Sequence, residues 1–270
     1  MKKISPIKYL LLAIVTASSF VPLILMAIMS TQTTEEIFRG LTFIPSSHLR
    51  DNLNTVLGVD FYNSYKNSVI VSVSATFFSV LISTMAGYGL VAYKFRLRNT
   101  IYNFVLITMM IPYSIRLVGY MQQMRFLGLT KSLIPLVLLW LANGFGVFWM
   151  TQYLKGALKI EIVESARIDG SGEMHTFFSI VIPCIRPALG TLALTIFLWS
   201  WNMYLFPLVM INNTAQYTIP LYIKTLGTEY RDDYAARITG LLLSTIPLIM
   251  VFSAGSTNFI KGLTAGAIKE

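Results

Sequence analysis

The sequence predicts an all-α integral membrane protein with six transmembrane helices. Three observations carry that expectation. Of 270 residues, 55% are hydrophobic and only 12% are charged. The mean hydropathy is +0.65, outside the range of ordinary soluble domains. Apolar runs long enough to cross a bilayer, which takes about 20 residues each, recur six times. A chain of this length then has no room for a large soluble enzyme domain.

The first run, Tyr9 to Ser30, follows Lys2, Lys3 and Lys8. It is longer than the apolar region of a signal peptide and lacks a small-x-small cleavage site, so it reads as an uncleaved span. The next runs are Asn67 to Tyr93, Ile101 to Tyr120, Ser132 to Tyr153, Ala188 to Ile211 and Ile238 to Ile260. Pro112, Pro135, Pro207 and Pro247 are expected to kink spans, and Gly87, Gly89, Gly144 and Gly146 to permit close helix approach.

The net charge is +9. Its basic residues lie between apolar runs instead of forming stripes interleaved with aromatics, which points to topology and anionic membrane lipid, with no nucleic acid partner. With the amino terminus inside, the inner segments hold Lys2, Lys3, Lys8, Lys94, Arg96, Arg98, Lys155, Lys159, Arg167, Arg186, Lys261 and Lys269. The outer segments hold Arg39, Arg50, Lys66, Arg116, Arg125, Lys131, Lys224, Arg231 and Arg237, together with acids such as Glu35, Asp51 and Glu229. The cluster Lys94 to Arg98 is the strongest inside marker, and both termini are expected in the cytoplasm.

Several chemistries are excluded. No G-x-x-x-x-G-K-[ST] phosphate loop occurs, so the chain itself is not expected to bind ATP by that device. The two histidines, His48 and His175, fall on opposite sides of the predicted membrane, and a single cysteine, Cys184, allows neither an intrachain disulfide nor a cysteine metal site. No catalytic, cofactor or metal grouping can be assembled. No Asp or Glu lies between Asp60 and Glu161, or between Glu173 and Glu229. Spans two to five therefore lack the intramembrane carboxylate that ion coupling usually needs.

The connection between spans four and five is long and helix-like, reading E-I-V-E-S-A-R-I-D-G-S-G-E-M-H-T-F-F-S-I-V-I-P from Glu161 to Pro183. Two short helices and a turn are expected. Ile162, Val163, Ala166 and Ile168 would form the apolar side, Glu161 and Glu164 would suit the positive helix start, Gly170 would stop the helix, and Ser171 would cap the next one. Pro183 and Pro187 would break the second helix before span five. His175 would lie on its surface.

The spacing E-S-A-x3-G-x9-I-x-I-P resembles the E-A-A-x3-G-x9-I-x-L-P signature of bacterial ATP-binding-cassette (ABC) importer permeases, with Ser165 for Ala and Ile182 for Leu. Asn67-Ser68, A-G-Y-G-L from Ala86, S-W-N-M-Y-L-F-P-L from Ser200 and the tail G-L-T-A-G-A-I-K-E are similar to the maltose-type, carbohydrate-uptake branch. Met203 stands where that branch commonly has an acid.

The resemblance implies a type I ABC importer (MetI-like) permease fold with a cytoplasmic coupling helix. It divides the chain into residues 1–62 (first helix and extracytoplasmic loop), 63–260 (transmembrane permease domain) and 261–270 (cytoplasmic tail). It further implies a multi-pass subunit of the bacterial plasma (inner) membrane that is not an enzyme. The implied partners are a second homologous permease, two ATPase subunits that bind the ATP, an extracytoplasmic solute-binding protein and a carbohydrate substrate. Glu164, Ser165, Ala166, Asp169, Gly170, Ile180 and Pro183 would form the ATPase-coupling element. Lys159, Ile160 and Val163 depart from the family's habit and would tune which ATPase docks.

For the translocation path, Trp201, Asn202 and Tyr204, with neighbouring Trp199, offer rings that stack on sugars and an amide that bonds hydroxyls. Residues 199, 201 and 202 point in different directions on a helix, so only part of the group can face a channel. Arg116, near the outer end of span three, either contacts a ligand or binding protein or snorkels to the interface. Two rival readings remain at this point: a permease for another solute such as glycerol phosphate or a polyol, and a stand-alone secondary transporter.

Overall fold

The computed structural model describes the backbone of residues 6–227 and 232–267, and side chains of residues 7–58, 60–227 and 232–256. Lys2, Lys3, Glu229, Arg231 and Lys269 lie outside the described residues, and of Lys261 and the G-L-T-A-G-A stretch only backbone is described. Apart from one isolated bridge between Gly227 and Asp232, the regular structure described is helical. By length and apolar content four helical stretches can span, Ile134–Ala157 among them despite a two-residue interruption, or six when two bent helix pairs are each taken as one.

Helix α1 (Pro6–Met29) runs along α15 (Tyr234–Ala267), and its residues 7–24 are all exposed, as a lipid-facing or partner-facing helix would be. Two short helices follow at one end of the bundle: α2 (Thr34–Arg39), closed by a reciprocal capping box between Thr33 and Glu36, and α3 (Leu49–Val56). Asn52 pins this segment by donating to the Ser30 carbonyl at 2.8 Å and the Gln32 carbonyl at 2.9 Å.

The central helix is α4 (Val59–Ala92), whose 34 residues begin well before Asn67. It packs against α7 (Ile134–Leu141), α8 (Gly144–Ala157), α12 (Arg186–Trp201) and α14 (Ile219–Thr225). Close approach is possible because small residues meet there: a Cβ on Gly146 would lie 2.3 Å from Ser83 Oγ, and one on Gly87 would lie 3.0 Å from Met150 Cβ. A Cβ on Gly144 would likewise press on Met109 at 2.9 Å, whereas Gly89 faces open space and mediates no such contact. Asn67 and Ser68 fasten α4 to the α14 region. The Asn67 amide donates to the Ala215 and Tyr217 carbonyls at 2.9 and 3.0 Å, and Ser68 Oγ accepts from the Ile219 N–H at 2.8 Å.

Three spans are interrupted. The predicted third span divides into α5 (Arg98–Met110) and α6 (Tyr113–Phe126), which meet at 104°. Pro112 causes the break: it has no N–H to continue the ladder, and Ile111 before it adopts an extended conformation (φ −74°, ψ 118°). The fourth span is broken at Ala142 and Asn143, between α7 and α8. The fifth ends at Trp201, earlier than the apolar run suggests, and resumes after Asn202 to Tyr204 as the short α13 (Leu205–Met210).

At the other end of the bundle lie α9 (Ile160–Ile168), α10 (Glu173–Thr176), a π-helical turn (Phe177–Val181) and α11 (Ile182–Cys184). Pro183 would clash with the carbonyl of Ser179, which falls inside the π turn, so the helix widens where the proline demands it. The Glu173–Cys184 segment then meets α12 at 83°, with Pro187 in the first turn of α12. Pro135 similarly opens α7, while Pro247 lies inside α15.

Candidate functional site

Two places bring together residues that the sequence analysis singled out. The first is the α9 turn. Val163 and Ala166 are buried, and Val163 and Ile160 pack onto a core of Met150, Leu154, Leu158, Phe177 and Val181. This corrects the apolar side expected from sequence, because Ile162 and Ile168 are exposed, Ile168 at 86%. Spacing explains it: 160, 163 and 166 form one stripe, and 162 and 168 do not belong to it. It also places Ile160 and Val163 away from the exposed side. Glu161 alone is in the first turn of α9, and Glu164 sits in the second, exposed with Ser165 and Asp169.

Gly170 ends the helix in the left-handed region (φ +80°). The Ser171 N–H bonds the Ala166 carbonyl at 2.9 Å and the Gly170 N–H bonds the Arg167 carbonyl at 3.1 Å, which together form a complete Schellman stop. Ser171 does not cap α10, whose N-cap is Gly172; its hydroxyl accepts instead from Thr176 Oγ1 at 3.1 Å. Ile180 is half-buried in the π turn and Pro183 is exposed. His175 is exposed, as expected.

A cluster that sequence reasoning missed braces this turn. Arg167 Nε donates to Glu173 Oε1 at 2.8 Å and Arg167 Nη2 to Oε2 at 3.3 Å. The Tyr93 and Tyr88 hydroxyls both donate to Oε2. The Arg167 guanidinium also lies 4.9 Å over the Tyr93 ring. The Arg167 hydrogen bond, followed by that of Tyr93, holds the Glu173 carboxyl below the usual carboxylate range. Desolvation, then the Glu173 contact, pushes the Tyr93 hydroxyl up. The brace ties α9 and α10 to the end of α4. The i, i+6 pairing of Arg167 with Glu173 across a glycine stop was its one sequence signal.

The second place is a cavity of about 820 Å³ where all three helix breaks converge. From α5 and α6 it receives Thr108, Met109, Tyr113 and Arg116. The α7–α8 break supplies Trp140, Asn143 and Phe145, and the α12–α13 break supplies Trp199, Asn202, Met203 and Tyr204. Trp199 stacks on Trp140 (centroids 6.3 Å, 26°) and meets Phe145 edge-on at 5.0 Å. Arg116 is the one charged side chain among the lining residues. Asn202 Nδ2 donates to the Leu198 carbonyl at 2.8 Å, which leaves its Oδ1 as an acceptor. Trp140 Nε1 and Asn143 Nδ2 are buried and have no hydrogen-bond partner among the described residues.

Of the path residues expected from sequence, Arg116, Asn202 and Tyr204 line this cavity. Trp201 does not. It is 2% exposed, donates its indole N–H to the Ser244 carbonyl at 3.2 Å and stacks on Phe197, so it joins α12 to α15. Its neighbour Trp199, 45% exposed, holds the wall position.

Residues 79–264 match the family described as binding-protein-dependent transport system inner membrane component. The chain belongs to that family. It is therefore a component of a membrane transport system in the inner membrane. Among curated relatives, it is 34% identical to the arabinooligosaccharides transport system permease protein AraQ of Halalkalibacterium halodurans, over 99% of both chains. It is 31% identical to the lactose transport system permease protein LacG of Rhizobium radiobacter, over 97% of this chain and 96% of that one. Its fold is similar to a chain in the crystal structure of a bacterial ABC transporter involved in the import of the acidic polysaccharide alginate (TM-score 0.77, 21% identity, 94% of this chain and 95% of that one).

Proposed function

We propose that the chain is a permease subunit of an ABC importer and forms part of the translocation path for a carbohydrate, most simply an oligosaccharide. The observation that carries the reading is the cavity at the three helix breaks. Discontinuous spans at a cavity are the arrangement by which transporters line a substrate path with backbone and polar groups. This one offers indole and phenol faces, an amide acceptor and a guanidinium, with no carboxylate, a set suited to hydroxyl-rich rings. Relatives named for lactose and arabinooligosaccharide transport support the sugar over glycerol phosphate or a polyol.

In this reading the exposed side of α9, with Glu164, Ser165, Asp169 and Gly170, docks in a cleft of a cytoplasmic ATPase subunit. ATP is bound there and not by this chain. The distribution of basic residues supports a cytoplasmic position for α9 and both termini. Two ATPases, a second permease and an extracytoplasmic binding protein complete the assembly. ATP binding closes the ATPase pair, α9 carries the movement into α4 and α8, and the cavity opens outward to receive the sugar.

The test is affinity purification of the tagged chain from its native membrane in mild detergent, with mass spectrometry of what remains bound and an ATPase assay. The reading expects an ATPase and a second permease with the wild type, and loss of the ATPase with Gly170→Pro. A chain recovered alone, under conditions that preserve other complexes, supports a stand-alone transporter instead.

A further inference from the structure

Another cavity lies at the α9 end, beside the brace, with which it shares Tyr93. It is a groove of about 550 Å³ between α4 and α5, floored by Val147 of α8. Its walls are two helical stripes: Ala86, Gly89, Leu90 and Tyr93 at i, i+3, i+4 and i+7 on and just beyond α4, and Ile101 and Val105 at i and i+4 on α5. The groove is almost wholly apolar, and Gly89 leaves it open, since a Cβ there would meet nothing within 4 Å.

One end is basic. Lys94 lines the groove, Arg96 lies two residues on in the connection, and Arg98 opens α5. Lys155 sits 4.9 Å over the ring of Tyr102, next to groove-lining Ile101. Lys94, Arg96 and Arg98 have no ion pair among the described residues. The nearest acid by contact, Glu173, is bonded to Tyr93 and already held by Arg167. An apolar slot that ends in unpaired cations at the end of a membrane span matches one chemistry: acyl chain in the slot, phosphate at the mouth.

We propose that this groove is a binding site for an anionic phospholipid, with an acyl chain against Gly89 and Val105 and the headgroup phosphate held by Lys94, Arg96 and Arg98. Because Tyr93 belongs both to the groove and to the Glu173 brace, the lipid fixes the end of α4 to which α9 is tied.

The full-length chain, reconstituted in nanodiscs of equal phosphatidylglycerol and phosphatidylcholine and released in mild detergent, is assayed for retained lipid by native mass spectrometry. Wild type is expected to retain phosphatidylglycerol over phosphatidylcholine. Substituting Lys94, Arg96 and Arg98 by Gln, all surface changes, is expected to lower that retention about fivefold for each charge removed. Gly89→Leu is expected to lower retention of both lipids, with helicity checked by circular dichroism. Equal retention of the two lipids by wild type, retention untouched by the charge substitutions, or no retained lipid because a protein partner fills the groove, each overturns the proposal.

Discussion

Around Glu173 three side chains, Arg167, Tyr88 and Tyr93, converge on one carboxylate, whereas at the cavity wall Trp140 Nε1 and Asn143 Nδ2 have no partner. The helices differ in the same sense. The α9 turn is closed by a full Schellman stop, while three spans are broken at the cavity. On the proposed function, a segment that passes on movement must keep its shape, which fits polar groups satisfied internally. A wall that receives a substrate must change partners, which fits unpaired donors beside interrupted helices.

The largest expected effect breaks the stiff end. Gly170→Pro cannot adopt φ +80° and removes the N–H that bonds the Arg167 carbonyl, so the stop is lost. ATP-dependent uptake should disappear while the chain still inserts in the membrane, as read by fractionation and transport in cells. Unchanged uptake removes the coupling role.

Loosening the brace should have an intermediate effect. Glu173→Gln weakens the link between α9 and α4, so uptake per ATP hydrolysed should fall several-fold in reconstituted vesicles, and the thermal stability cost should stay within about 1 kcal/mol because the pair is partly exposed. The pH dependence follows from the sign of the shift. A carboxyl whose pKa is lowered on folding stabilises the fold above the ordinary value of 4.5, and that contribution is lost as pH falls below it. The wild-type brace should thus be insensitive to pH near neutrality and weaken only in acid.

The smallest effect sharpens the contrast with one residue type. Trp149 Nε1, toward the α9 end, donates to the Ala188 carbonyl at 3.2 Å, and Trp140 Nε1 donates to nothing described. Trp149→Phe should cost about 1 kcal/mol for its hydrogen bond, and Trp140→Phe should show no such loss in thermal or denaturant unfolding. Equal losses for both would erase the distinction between the two ends.

The α9 turn was legible in the sequence because a glycine stop, exposed acids and a fixed spacing to Pro183 are local features. Its inward face was less so, since Ile162 and Ile168 are as apolar as Ile160 and Val163 and only the observed packing separates them. The spans were found by apolar length, but that measure passes through Pro112, Asn143 and Asn202 without a drop large enough to mark the breaks. The same limit left Trp199 and Trp201 undivided. In a span buried on several sides, both indoles fit, and the bond to Ser244 decides which one faces inward.

The most direct test of a stiff end driving a yielding one is a pair of distances in the reconstituted transporter, with Cys184 replaced by Ser and spin labels read by pulsed electron resonance. One pair reports on the cavity, between Ile115, next to lining Arg116 in α6, and Leu205 in its wall. The other spans the brace, between Lys94 and Ile168. On trapping ATP, the cavity distance should shift and the brace distance should stay constant, and Gly170→Pro should abolish the shift. A cavity distance that ignores ATP, or a brace that opens while the cavity stays fixed, contradicts the account.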